Sequence, residues 1–204
     1  MKSINFTEQM FRAVIDGRKT QTRRIMKPQI GDCKKSCSGR GSCNFKFVDN
    51  GLLEGCDCYV VHKPRYKVGE TVYLKEPYCV ISERLNSLIY KFDNKPIFDD
   101  VKWKNKLFMP EKYARYFIEI TAVRCERLQD ISGEDCIREG IFKTHYTDGK
   151  GWVHYDHRKR AVPTSSWCQT PKKAFECLIY EIYGFEVWEA NPFVWVYEFE
   201  LIKN

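Results

Sequence analysis

The sequence predicts a small α+β protein built around a barrel-like sheet. Two observations lead there: short runs with strand alternation are separated by single helices, and neither an internal repeat nor a heptad appears. The first helix opens at Thr7, a capping residue, with Glu8 in its first turn and Met10, Phe11, Val14 and Ile15 on one face. Gly17 supplies a left-handed stop. Residues 18–26 then read as an extended segment dense in Lys, Arg and Thr.

Val68-Gly69-Glu70 is a turn into the strand Thr71–Glu76, which Pro77 closes. A longer half-buried strand runs from Tyr116 to Cys125, with Tyr116, Ile118 and Ile120 on one face. Ser132-Gly133-Glu134-Asp135 forms a capping box, with Ile131 set to staple against Cys136, and Gly140 ends the two-turn helix it opens. Thr170-Pro171 starts the strongest helix, whose apolar face carries Ala174, Phe175, Leu178, Ile179, Ile182 and Tyr183 before Gly184. The closing strand, 193–202, alternates Trp195, Tyr197, Phe199 and Leu201 with Val194, Val196, Glu198 and Glu200.

We read one domain over 1–204, carrying a Cys-rich insertion at 31–63 and a basic loop insertion at 143–170. With 43% hydrophobic residues the chain can bury a core of its own. Its 34 Lys and Arg against 27 Asp and Glu leave a net charge of +7, which favours anionic partners, nucleic acid first among them, or is a mildly basic surface. No stretch approaches the ~20 apolar residues of a membrane span, and no apolar leader follows Met1, so the expected location is cytoplasmic and no membrane partner is expected.

Ten cysteines are many for a reduced compartment. Five of them, Cys33, Cys37, Cys43, Cys56 and Cys58, crowd into the first insertion. Zinc takes four soft ligands at tetrahedral geometry, and these five could supply them; a flexible insertion with free thiols is the other reading. His145, His154 and His157 lack the spacing of a catalytic zinc helix. Trp152, Tyr155 and Trp167 beside Arg158-Lys159-Arg160 could stack on bases, or pack onto the sheet.

The segment Gly17-Arg18-Lys19-Thr20-Gln21-Thr22-Arg23-Arg24, directly after a capped helix, resembles the signature of the ASCH family, a branch of the PUA-like barrels, above all its phage and prophage members. Val68–Glu76, Phe108-Met109-Pro110 with Ala114-Arg115, Glu134–Gly140 and Asn191–Phe199 resemble further family segments in the same order, over about half of the chain. The resemblance implies a small PUA-like β-barrel with flanking helices and inserted loops. It also implies a cleft beside the signature that binds RNA or a nucleotide. A small branch of the family hydrolyses acetylcytidine with Lys, Thr and Glu, and the matching residues are Lys19, Thr22 and Glu139, with Arg24 two positions after the Thr.

Taken as residues, these carry more than one chemistry. Lys19 is a general base only if burial or neighbouring cations, here Arg18, Arg23 and Arg24, lower its pKa. The same four cations would equally hold phosphates with no chemistry, and on that ground RNA or nucleotide binding ranks before catalysis. Thr22 would be the nucleophile, yet strict strand alternation sets residues 19 and 22 on opposite faces, so catalysis needs a turn or bulge between them. Glu139 closes a short helix, where the dipole disfavours an anion and suits an acid–base group, or it is a solvated side chain. Glu76 is a second carboxylate that could line the cleft, and Arg115 a further cation for it. The ordered readings are therefore an RNA- or nucleotide-binding module, an amidohydrolase of an acylated cytidine-like nucleoside, and a phage accessory or morphogenetic factor without catalysis.

Overall fold

The computed structural model describes residues 1–27, 46–48, 52–54, 63–82, 87–93, 101–144, 151–154 and 168–202; for 46–48, 52–54, 144 and 154 it describes the backbone alone. Chain order is β1 (Lys2–Asn5), α1 (Glu8–Ile15), β2 (Gln21–Ile25), β3 (Lys46–Val48), β4 (Leu52–Glu54), β5 (Thr71–Lys75), β6 (Tyr78–Ser82) and β7 (Ser87–Tyr90). It continues with β8 (Phe117–Arg127), α2 (Gly133–Arg138), β9 (Ile141–Thr144), β10 (Gly151–His154), α3 (Pro171–Tyr183), α4 (Phe185–Ala190) and β11 (Phe193–Ile202). Single 3-10 turns stand at Lys106–Phe108, Glu111–Tyr113 and Leu128–Asp130.

Local chemistry sets most helix ends. Thr7 Oγ1 accepts from Met10 N at 3.3 Å, Ser132 Oγ from Asp135 N at 3.0 Å, and Thr170 Oγ1 from Lys173 N at 3.2 Å. Gly17 has φ 71° and Gly140 φ 101°, a region where L side chains are strained. Ser132 caps α2 in one direction only. The Asp135 carboxylate turns away to Gln21, Arg23 and Arg124 rather than back to the cap.

Five strands form the main sheet in the order β1-β5-β8-β11-β2; β1 and β5 are parallel and the other pairs antiparallel. Separate two-stranded ladders join β3 to β4, β6 to β7 and β9 to β10. Within the stretch read as a loop from 143, β10 pairs with β9, and Trp152 also bridges to Cys168.

Both faces of the sheet carry a core, the second over part of its area, since Glu119 and Glu200 are exposed. On one lie Ile4, Phe6, Phe11, Ile118, Ile120, Trp195, Tyr197 and Phe199; on the other α3 packs Phe175, Leu178 and Ile179 against Val194 and Val196. The alternation along β11 therefore divides two cores over Val194–Tyr197 and core from solvent at Glu200. On β8 the pairing passes from Ala122 opposite Glu198 to Ile120 opposite Phe199, leaving Thr121 unpaired. This bulge inverts the parity of β8, so Ile118 and Ile120 join the same cluster as Val123 and Cys125. Ile131 and Cys136 are buried together, as the staple requires, and burial pushes the Cys136 thiol up to about 12.

Among the described residues no ladder joins β1 to β2, so the sheet does not close into a barrel. Its two edges nevertheless meet. Arg24 on β2 reaches the backbone oxygen of Asn5 on β1 at 2.8 Å. The sheet is curled, with side chains rather than a ladder across its seam.

Candidate functional site at the seam of the sheet

A cleft of about 220 Å³ lies at this seam. Asn5, Phe6, Thr7 and Met10 line it from β1 and the start of α1; Thr22, Arg23 and Arg24 line it from β2. Lys106 and Glu139 enter from loop and helix end, and Phe175, Leu178, Ile179, Ile182 and Tyr183 of α3 complete it.

Lys19 is buried behind this wall, 1% exposed. The turn at Gly17 delivers it there: Arg18 N and Lys19 N both donate to Ala13 O, and β2 begins only at Gln21. Residue 19 is thus outside the strand, and strand parity does not govern it. Its Nζ donates to Glu139 Oε2 at 2.5 Å and to Glu139 O at 2.8 Å. Burial holds the Lys19 pKa below 10.5; the carboxylate of Glu139 opposes that, and the charges of Arg24 and Arg23 reinforce it. Glu139 caps the C-terminal end of α2, and Gly140 behind it turns the chain into β9.

Arg23 belongs to a charge network on the face of the sheet that meets α2 and α3. Its guanidinium donates to Gln21 Oε1 at 2.6 Å, Glu126 Oε1 at 2.6 Å, Asp135 Oδ2 at 3.0 Å and Glu139 Oε1 at 3.1 Å. Burial pulls the Arg23 pKa down, but Glu139 and Glu126 outweigh it and the net shift is upward. Arg124 joins from β8, donating to Glu126, Asp135 and Glu198. Asp135 is held below its ordinary value: burial pushes it up, and Gln21, Arg124 and Arg23 together pull it further down. Among the described residues, Arg23 is thus engaged by carboxylates and has little left for a ligand.

Arg24 differs. It faces the other core, 5.4 Å from the centre of the Phe6 ring, and makes no carboxylate pair among the described residues. Lys106 stands nearby with its Nζ on Phe6 O at 2.5 Å. Thr22 lines the cleft, and its hydroxyl makes no hydrogen bond among the described residues.

The remaining sequence candidates lie elsewhere. Arg18 pairs with Asp16 at 2.9 Å and covers the Phe142 ring at 5.7 Å. Glu76 is fully buried, and Arg115 grips it through Nε and Nη2 at 2.7 and 2.8 Å, while resting 3.9 Å from the centre of the Tyr90 ring. Arg115 also holds Asp93, and neither Glu76 nor Arg115 is among the cleft-lining residues. Burial pushes the Glu76 pKa up more than Arg115 lowers it. Cys33, Cys37, Cys43, Cys56 and Cys58 lie outside the described residues, as do His145, Tyr155, His157, Arg158, Lys159, Arg160 and Trp167. Among the described residues no cluster of His, Cys, Asp and Glu could hold a metal.

Asn5 and Lys106 were not singled out by the sequence. Neither sits in a motif; only the pairing of β1 beside β5 and the fold of the segment around 101–109 bring them to the cleft. No helix is long and apolar enough to cross a membrane among the described residues. No family model, curated protein or solved structure matches the chain. The site is therefore defined by its own geometry: a small α+β protein with a buried lysine–glutamate pair behind a half-apolar cleft.

Proposed function

We propose that the chain is an ASCH-type, PUA-like protein that takes a nucleoside-sized ligand into the seam cleft and hydrolyses an amide on it. The observation that carries this reading is the Lys19–Glu139 pair, shut off from solvent and contiguous with a cleft that Thr22 also lines. A buried ion pair is poor value for stability alone, since desolvation offsets its attraction. A lysine whose pKa is lowered by burial is suited to be a base.

Two hydrogen bonds fix Nζ against Glu139, and its approach to Thr22 is part of the proposal. A neutral amine has two N–H bonds and one lone pair. With both N–H groups directed to Glu139 O and Oε2, the lone pair occupies the remaining direction. In the proposed reaction this lone pair takes the proton of Thr22 Oγ1 as the oxygen attacks the acyl carbonyl carbon. The carbon–nitrogen bond then breaks, the leaving amine receives the proton from Lys19, and an acyl ester remains on Thr22. Water, deprotonated by the same amine, releases the acid and restores the hydroxyl. Glu139 fixes Nζ and shares its proton.

The size of the cleft and the commitment of Arg18 and Arg23 to carboxylates favour a small ligand over an RNA polymer. Binding of a nucleotide without turnover is the second reading, and Arg24 and Lys106 support it as cations without carboxylate partners among the described residues. The structural zinc proposed for the cysteine segment rests on its five thiols alone.

The test is release of cytidine and free acid from an N-acylated cytidine, followed by chromatography. Lys19→Met, Thr22→Val and Glu139→Gln are expected to lower kcat by about 10²–10⁴; Thr22→Val should keep the thermal transition, whereas the other two, which break a buried pair, should also lower it. The rate should rise with pH, because Lys19 acts only when neutral and its pKa lies below 10.5. A wild-type protein that releases no product ends the catalytic reading and leaves the binding one.

A further inference from the structure

Charge is balanced on one side of β2 and unbalanced on the other. Arg23 and Arg124 meet Glu126, Asp135, Glu139 and Glu198. Arg24 and Lys106 share the cleft, and among the described residues their side chains donate only to the backbone oxygens of Asn5 and Phe6. They are close enough that Arg24, after burial, is the second cause lowering the Lys106 pKa. Two cations held together without a carboxylate repel each other, and an anion between them removes that repulsion. Asn5 lines the same cleft, and its Oδ1 atom is buried with no hydrogen-bond partner among the described residues. A buried acceptor left in this state is costly until a donor reaches it.

We propose that Arg24, Lys106 and Asn5 form a subsite for a phosphate monoester carried by the ligand, the two cations holding the phosphate and Asn5 Oδ1 accepting an O–H or N–H of the same molecule. The assignment rests on the reading of the cleft as a small-ligand site. Charge decides for phosphate: near neutral pH a phosphate monoester carries close to two negative charges, against two cations, whereas a carboxylate carries one. The guanidinium fork of Arg24 and the point charge of Lys106 are both suited to phosphate oxygens. Ile182 and Tyr183, the exposed residues of the α3 wall, leave an apolar surface for the rest of the ligand.

Calorimetric titration of the full chain with cytidine 5′-monophosphate, cytidine and inorganic phosphate tests the subsite. Wild type is expected to bind the monophosphate at least about tenfold more tightly than cytidine, the increment of one or two charge-assisted hydrogen bonds. Lys106→Met should erase most of that preference, Lys106→Arg should keep it, and Asn5→Leu should weaken both nucleoside ligands. Equal affinity for cytidine and its monophosphate, a preference that survives Lys106→Met, or no binding of any probe would overturn the proposal. Binding of inorganic phosphate as tight as the monophosphate would also overturn it, because the anion would then not be part of a larger ligand. The two proposals fail separately: a monophosphate preference without amide hydrolysis removes the catalysis alone, and hydrolysis without the preference removes the subsite alone.

Discussion

Arg23 donates to three carboxylates and one amide, with its side chain only 2% exposed, so its loss leaves Glu126 and Asp135 to share Arg124 and takes a buried cation from Glu139, which keeps Lys19. Arg23→Met should therefore lower unfolding free energy by about 3–5 kcal/mol, as removal of one partner from a buried ion pair does. Arg18→Met, at an exposed pair with Asp16, should change it by less than about 1 kcal/mol. Urea unfolding of the two variants beside wild type measures the contrast; similar losses would show that the network does not hold the fold. The four cations of the signature look alike in sequence and are not alike in the molecule. Arg18 is peripheral, Lys19 buried against Glu139, Arg23 engaged by carboxylates, and Arg24 turned to the cleft. Alternation along β2 separates Arg23 from Arg24, but only the register Arg23–Val196–Arg124 shows what each one meets. Asn5 and Lys106 carry no local signal, since their importance comes from long-range pairing.

At the level of elements, the caps at Thr7, Ser132 and Thr170 and the stops at Gly17, Gly140 and Gly184 were legible, because each is a local hydrogen bond or a backbone angle that one residue type favours. β1 was not: four residues with a lysine and an asparagine give no alternation, and their pairing with β5 is made across the sheet. The short α4 follows α3 after a single glycine, and the sequence Phe185–Ala190 shows too little periodicity to announce it. The bulge at Thr121 was also hidden, because alternation through Tyr116, Ile118 and Ile120 gives no sign that parity later inverts. The element that composition marks most clearly is the cysteine segment, too polar to be ordered by burial. Elemental analysis of protein purified without added metal should find about one zinc per chain, and chelation should expose residues 31–63 to protease while the sheet stays folded. Metal-free protein with that segment resistant to protease would contradict the zinc.

For the molecule as a whole, the sequence indicated strands and helices of an α+β fold, and the strand order and the seam required the three-dimensional pairing. The seam has a consequence for motion. β1 and β2 are the two ends of the ladder, joined among the described residues by the contact from Arg24 to Asn5 rather than by a row of backbone hydrogen bonds. Amides at such edges open by local fluctuations that leave the centre of the sheet intact. A ligand touching Asn5 on one edge and Arg24 on the other would act as a clasp on a hoop. Cytidine 5′-monophosphate at about 100 times its Kd should add about 2.7 kcal/mol to stability. Hydrogen exchange should then slow in residues 2–6 and 21–26 together, although these strands lie at opposite ends of the sheet, with less change in β5 and β8. Slowing confined to α3 would show that the ligand does not bridge the edges. If the two edges do respond together, the gap where the hoop fails to close is also where occupancy sets how far the sheet breathes.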